Sequence, residues 1–220
     1  MALFPPHAPG MRIGLFGGSF NPPHAGHALV CNLALRRLGL HRVWVMVTPG
    51  NPLKSREGLP SLAERMAAAR KVMRHPRIVV TGFEAEIGAA YSWQTVNFLR
   101  RACPGVHFVW IMGADNLAGF FRWQRWRDIA AAMPILAVDR PGSTHIAERG
   151  QAASCLGRRR LPETQAKTLA LRAPPALIVL HGPRSPLSST QLRASKAYSR
   201  EKAETDPLRP APSVTRGPES

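Results

Sequence analysis

"GLFGGSFNPPHAGHALV", residues 14–30, sets a glycine pair, two prolines and two histidines between apolar flanks. The lead-in reads as a strand and the run after Gly26 as a helix, so the polar centre is a strand-to-helix turn. Gly17 and Gly18 let the backbone approach an anion closely, and the helix start directs free N–H groups at it. Pro22 and Pro23 stiffen the entry. His24 and His27, three apart, can both face one bound group. Other readings of the parts stand beside this one. Gly-Gly can be a plain turn, and each histidine a satisfied surface residue. A His-x-x-His pair can hold zinc, but a closed site needs four ligands, and histidines 7, 41, 75, 107, 145 and 181 form no matching cluster.

The flanks of the turn fix the fold class. Apolar, β-rich runs recur as "RIGLF" (12–16), "RVWVMVT" (42–48), "RIVVTG" (77–82), "HFVWIMG" (107–113), "PILAVD" (134–139) and "ALIVLHG" (176–182). They are nearly continuous rather than alternating, which suits strands covered on both faces. Helical patterns lie between them. "HALVCNLALRRLG" ends on Gly39, "SLAERMAAARKVM" opens with a Ser61/Glu64 capping box, "SWQTVNFLRRAC" is capped by Ser92, and "FRWQRWRDIAAAM" follows the fourth strand. This alternation predicts a single-domain α/β protein with a Rossmann-like, doubly wound, mostly parallel sheet. Ligands of such sheets bind outside the carboxyl ends of the strands, which is where the opening turn lies.

Residues 11–195 are expected to form that domain. Residues 1–10 read as a flexible start, 143–175 as a surface excursion with some helix, and the polar, Pro-rich stretch 196–220 as a disordered tail.

Composition bounds the function. The 220 residues are 45% apolar, enough for a sizeable core, and no run approaches the ~20 residues of a membrane span. The opening segment lacks the features of a signal peptide. Cys31, Cys103 and Cys155 are odd in number and far apart, which fits a reducing cytoplasm. A net charge of +17, from 25 Arg and 5 Lys against 13 acids, raises nucleic-acid binding. The arginines are scattered, however, and no basic stretch is interleaved with aromatics. A steep salt dependence of DNA or RNA affinity would be the mark of that alternative.

The eleven residues "GGSFNPPHAGH" resemble the signature of the HxGH nucleotidyltransferase superfamily, with Gly18, Phe20, Pro22, His24, Gly26 and His27 at its fixed positions. "LSSTQLR" (187–193) is similar to the superfamily's second element. "TPGNPLK" (48–54), "YSWQTVNFL" (91–99), "WIMGADNLAGFFRWQRW" (110–126) and "DRPG" (139–142) narrow the resemblance to bacterial nicotinate-nucleotide adenylyltransferases. Many members carry an acid where Gln94 stands.

The resemblance implies adenylyl transfer from ATP to nicotinate mononucleotide, with Mg²⁺ travelling on ATP and no metal held by the protein. It implies that His24, His27 and Arg193 are catalytic. Gly17, Gly18, Ser19, Phe20, Arg140, Ser188, Ser189 and Thr190 would bind ATP, and Asp115 the nucleotide ribose. Asn51, Lys54, Ser92, Thr95 and Trp123 would take the nicotinate mononucleotide, with Trp123 stacked on the ring and Trp126 in the core. Asp115 also reads as a helix cap, and the Ser/Thr run as an ordinary cap. A phosphopantetheine adenylyltransferase would share the two superfamily elements without the "GADN" and "YSWQT" segments. Neither a membrane nor a nucleic-acid partner is expected, and the oligomeric state is left open.

Overall fold

The apolar runs become strands whose alternate residues enter two separate cores. The computed structural model describes residues 4–50, 59–139 and 151–182, with the backbone alone for 151–153. Its strands are β1 (Arg12–Gly18), β2 (Arg42–Val47), β3 (Ile78–Thr81), β4 (His107–Gly113), β5 (Ile135–Asp139) and β6 (Leu177–His181). They form one sheet in the order β3-β2-β1-β4-β5-β6, and every neighbouring pair is parallel. The order reverses between β1 and β4, which opens a crevice at their carboxyl ends.

On one face Phe16, Val45, Ile111, Leu136 and Ile178 pack beneath α1 (Ala25–Arg37) and α2 (Leu62–Val72). On the other, Leu15, Trp44, Trp110, Ala137 and Val179 lie beneath α4 (Ser92–Ala102) and α6 (Trp126–Ala132). Both cores account for the lack of alternation in the strand sequences. Two short helices, α3 (Phe83–Glu86) and α5 (Ala114–Gly119), follow directly on β3 and β4.

Local signals hold at most boundaries. α1 stops at Leu38; Gly39 takes φ +62° and the Leu40 N–H returns to the Leu35 carbonyl at 3.2 Å, closing a Schellman motif. Ser61 and Glu64 form the expected capping box, with Ser61 N–H to Glu64 Oε2 at 2.8 Å and Glu64 N–H to Ser61 Oγ at 3.2 Å.

Four expectations are corrected. α4 is capped at Tyr91 rather than Ser92: Gln94 Oε1 accepts from the N–H groups of Ala90 (2.8 Å) and Tyr91 (2.9 Å), which makes Ser92 the first helical residue. The pattern at 121–133 is not one helix, because Arg125 adopts φ +55° and separates a 3₁₀ turn at Phe120–Arg122 from α6. The described part of 143–175 is not merely a surface excursion. It forms α7 (Gln151–Leu156) and a 3₁₀ helix (Glu163–Leu171), and it buries Leu156, Ala166, Leu169 and Ala170 over the sheet. Nor are residues 4–10 loose: Phe4 lies 5.7 Å from Phe83 and 5.6 Å from Phe98, and the Gly10 N–H donates to Gly105 O at 2.7 Å. Phe4 and Pro5 shield the edge of the second core there.

Among the described residues no helix is long and apolar enough to cross a membrane. The tail 196–220 lies outside the described residues.

Candidate active site

Only five polar or charged residues are buried among those described: His24, Arg65, Thr81, Glu84 and Thr95. Burying such groups is costly unless they are partnered. Their positions at or near the carboxyl edge of the sheet trace out the site.

His24 is the N-cap of α1. Its Nδ1 accepts from the Gly26 N–H at 3.2 Å, and the Nδ1 of His27 accepts from the His24 N–H at 3.2 Å. The backbone therefore occupies Nδ1 of both rings, so each neutral imidazole carries its proton on Nε2, and the Nε2 of His24 is itself buried. The ring centroids are 3.8 Å apart, at an interplanar angle of 38°. Two N–H donors thus stand side by side at the positive end of a thirteen-residue helix, a site suited to phosphate.

Phe20 supports this pair from below. Its ring lies 5.0 Å from His27 and 5.5 Å from Phe16, and it is buried although its backbone sits at φ +46°. A left-handed non-glycine residue costs on the order of 1–2 kcal/mol, which burial of the ring offsets. A Cβ at Gly18 would come within 3.2 Å of the Phe20 ring, so glycine there lets the ring fold back under the turn.

Arg65, on α2, is not singled out by the sequence. Its guanidinium donates to the carbonyls of Pro60 (2.9 Å), Ser19 (3.0 Å) and Thr48 (2.8 Å). It thereby ties the turn after β1 to the end of β2. Burial pushes its pKa below the ordinary arginine value. Its position in the first turn of a helix at the carboxyl edge is the available signal, and it is hidden among 25 arginines.

A cavity of about 400 Å³ opens from this turn. Gly17, Gly18, Ser19 and Thr48 line one end; Ala89, Ala90, Tyr91 and Ser92 line another side; Trp110, Asn116, Arg122, Trp123 and Gln124 complete the wall, together with Glu84. Trp123 is half-buried and packed edge-on against Trp110 (6.2 Å) and Phe120 (5.3 Å), which fixes its ring at the cavity wall. Trp126 is in the core, as expected. Glu84 is the second residue that the sequence does not mark out. Desolvation raises its carboxyl pKa to about 7, against a lowering hydrogen bond from the Thr95 hydroxyl at 2.7 Å.

The structure thus brings Gly17, Gly18, Ser19, Ser92 and Trp123 to one cavity and holds Phe20, His24 and His27 beside it. Thr95 is fully buried and does not line the cavity; its hydroxyl serves Glu84 instead. Asp115 is exposed in the first turn of α5, whose N-cap is Gly113 with no side-chain cap bond, and Asn116 rather than Asp115 lines the wall. Asn51, Lys54, Arg140, Ser188, Ser189, Thr190 and Arg193 lie outside the described residues. Among the described residues no group of three His, Cys, Asp or Glu could hold a metal ion.

A parallel sheet of this order with a phosphate-type cradle at its switch point defines a nucleotide-handling α/β protein, and a family model described as cytidylyltransferase-like matches residues 15–195. Two curated relatives, both named "Probable nicotinate-nucleotide adenylyltransferase", come from Rhizobium meliloti and Methylorubrum extorquens. They are 54% and 56% identical over 85% and 83% of this chain, and the matches span 100% and 99% of their own lengths. The chain belongs to the nicotinate-nucleotide adenylyltransferase family. The solved Plasmodium falciparum nicotinic acid mononucleotide adenylyltransferase complexed with NaAD shares the fold, with a TM-score of 0.62 at 16% identity over 84% of this chain and 83% of that one.

Proposed function

We infer that this chain transfers the adenylyl group of ATP to nicotinate mononucleotide, forming nicotinate adenine dinucleotide and pyrophosphate in NAD biosynthesis. The observation that carries the reading is the pair of backbone-fixed Nε2 donors beside a glycine-lined turn that opens on a cavity walled by Trp123. The names of the relatives point to the same reaction.

An oxygen of the mononucleotide phosphate attacks the α-phosphorus of ATP, and the bond from that phosphorus to the pyrophosphate oxygen breaks. The nucleophile is anionic at pH 7, so no general base is needed. The protein's task is to hold two polyanions in line and to meet the charge that develops. His24 and His27 donate to the ATP phosphates from Nε2, with His27 stabilising the transition state. Gly17, Gly18 and the N–H groups of Ser19 and Phe20 line the cradle. In this reading the divalent ion, taken as Mg²⁺, arrives with ATP as part of the substrate. Arg140, Ser188, Ser189, Thr190 and Arg193 complete the ATP site in this reading, and Asp115 holds a ribose. Asn51, Lys54, Ser92 and Trp123 take the acceptor, while Thr95 acts on that end only through Glu84. Arg122 adds a cation to the same wall. A cytoplasmic enzyme, with residues 11–195 as its catalytic unit and no nucleic-acid partner, completes the proposal.

The acid and amide mononucleotides differ only in carboxylate against carboxamide. The N–H groups of Ala90 and Tyr91 are taken by Gln94, so the donors at this wall are those of the first turn of α4 from Ser92 on, which favour the anion and leave an amide NH₂ facing donors. Pyrophosphate release measured with MgATP and each acceptor should favour the acid by at least about tenfold in kcat/KM, roughly 1.4 kcal/mol. Equal use of both would refute the acceptor assignment. No release with either would refute adenylyl transfer.

A further inference from the structure

The cavity wall that carries Trp123 is not continuous with the wall that carries Tyr91 and Ser92. The two come from chain segments about thirty residues apart, and a cluster of side chains spans them. The Trp93 indole N–H donates to Gln124 Oε1 at 2.9 Å, and the Arg125 guanidinium lies 4.5 Å from the centre of the Trp93 ring. The same guanidinium is ion-paired to Asp128, which orients it over the indole. Arg125 holds φ +55°, a backbone state that disfavours a residue with a Cβ, at the end of the segment that carries Trp123 and Gln124.

We propose that Trp93, gripped by Gln124 and Arg125, is a positioning residue that latches the Trp123 loop to the start of α4 and so sets the width of the slot that receives the acceptor's ring. The proposal rests on the acceptor reading above for what enters the slot, but the latch itself is a property of the free protein. Trp123 is anchored from beneath by Trp110 and Phe120, whereas the outer side of its loop meets α4 through Gln124 and Arg125 on Trp93. The latch holds it. A slot assembled before the ligand arrives spares the ligand the entropy of ordering the loop, so removing the latch weakens binding while the reacting centre stays intact. ATP enters at the other end of the cavity and is insensitive to it.

The test uses the full chain and the variants Trp93→Phe, Trp93→Ala and Arg125→Ala. In the absence of substrate, amide hydrogen exchange across 121–125 should quicken by about fivefold or more in Trp93→Ala, with smaller increases in the other two. In steady-state assays with MgATP and nicotinate mononucleotide, Trp93→Ala should raise the acceptor KM about three- to tenfold, while the ATP KM and kcat stay within about twofold. Trp93→Phe, which keeps an aromatic platform but lacks the N–H, should fall between wild type and Trp93→Ala and retain the wild-type melting temperature within a few degrees. Unchanged exchange in the variants would overturn the latch, and so would an equal rise in both KM values. Should wild type not use nicotinate mononucleotide at all, the function reading fails, and the exchange measurement alone still decides the latch.

Discussion

The phosphate cradle and the acceptor wall are built in opposite ways. The cradle is mostly local: around its two histidines the polar geometry is set by hydrogen bonds that span two or three residues, such as His24 N–H to His27 Nδ1, and Arg65 is the distant donor that holds the Ser19 carbonyl. The acceptor wall is assembled from Glu84, the start of α4 and the loop 119–125, whose mutual placement depends on the whole sheet. Each region also hides one buried ionisable group that the sequence does not mark out, Arg65 under the cradle and Glu84 under the wall. A site made by local backbone can be found by motif. One made by packing must be found by asking which charges are buried.

If the cradle does its work through two oriented donors, removing one should cost far more activity than stability. His27→Ala should lower kcat by about 10²–10³-fold, the scale of one preorganised donor, roughly 3–4 kcal/mol. His24→Ala should do the same and in addition cost about 1 kcal/mol of stability, because the ring also caps α1 through the Gly26 N–H. Kinetics alongside urea melts separate the two effects. A folded His27→Ala enzyme with near-wild-type turnover would remove the cradle's proposed role.

Arg65 tests whether the cradle is as local as its hydrogen bonds make it look. Arg65→Met keeps most of the stem volume but leaves the carbonyls of Pro60, Ser19 and Thr48 without their donor. Stranding a fully buried acceptor costs about 1–3 kcal/mol before relaxation, and these carbonyls, part-buried at Ser19 and Thr48 and on an exposed residue at Pro60, sit at the low end of that range. A net loss of about 3 kcal/mol in denaturant unfolding is expected on that scale. The KM for ATP should rise as well, because Ser19 is no longer held against Thr48. Unaltered ATP kinetics in Arg65→Met would mean that the turn keeps its shape from its own residues alone.

The same contrast explains what is legible in the sequence. All six strands are visible there because a strand buried on both faces must be a continuous apolar run, whatever its neighbours. Ser61/Glu64 and Gly39 are visible because capping is a matter of three or four residues. The αL break at Arg125 is not, because periodicity at 121–133 counts apolar spacing and Trp123, Trp126 and Ala130 keep that spacing across it. Thr95 is drawn to the acceptor by its place in "YSWQT", yet helix geometry turns it inward, onto Glu84. Arg65 and Glu84 read as solvated charges on helices that otherwise look like surface. Only the sheet edge beneath them makes them buried.

Glu84 offers the finest test of the wall. Its carboxyl holds a proton up to about pH 7 in the folded chain, because desolvation outweighs the Thr95 hydrogen bond, whereas in the unfolded chain it ionises near its ordinary value of 4.5. Between those values the folded state binds more protons than the unfolded state, so stability falls as pH rises. The favourable contribution is complete below about pH 4.5 and gone above about pH 7. A displacement of this size corresponds to something on the order of 3 kcal/mol. Glu84→Gln cannot ionise and can still accept from Thr95 through its amide oxygen. The difference between wild-type and Glu84→Gln unfolding free energies, measured by urea from about pH 4.5 to 8, should therefore slope steadily against wild type and level off above about pH 7. Other titrating groups shared by the two proteins cancel in that difference. A flat difference curve would mean that water reaches the carboxylate through the cavity, and that the acceptor wall is a solvated surface rather than a buried one.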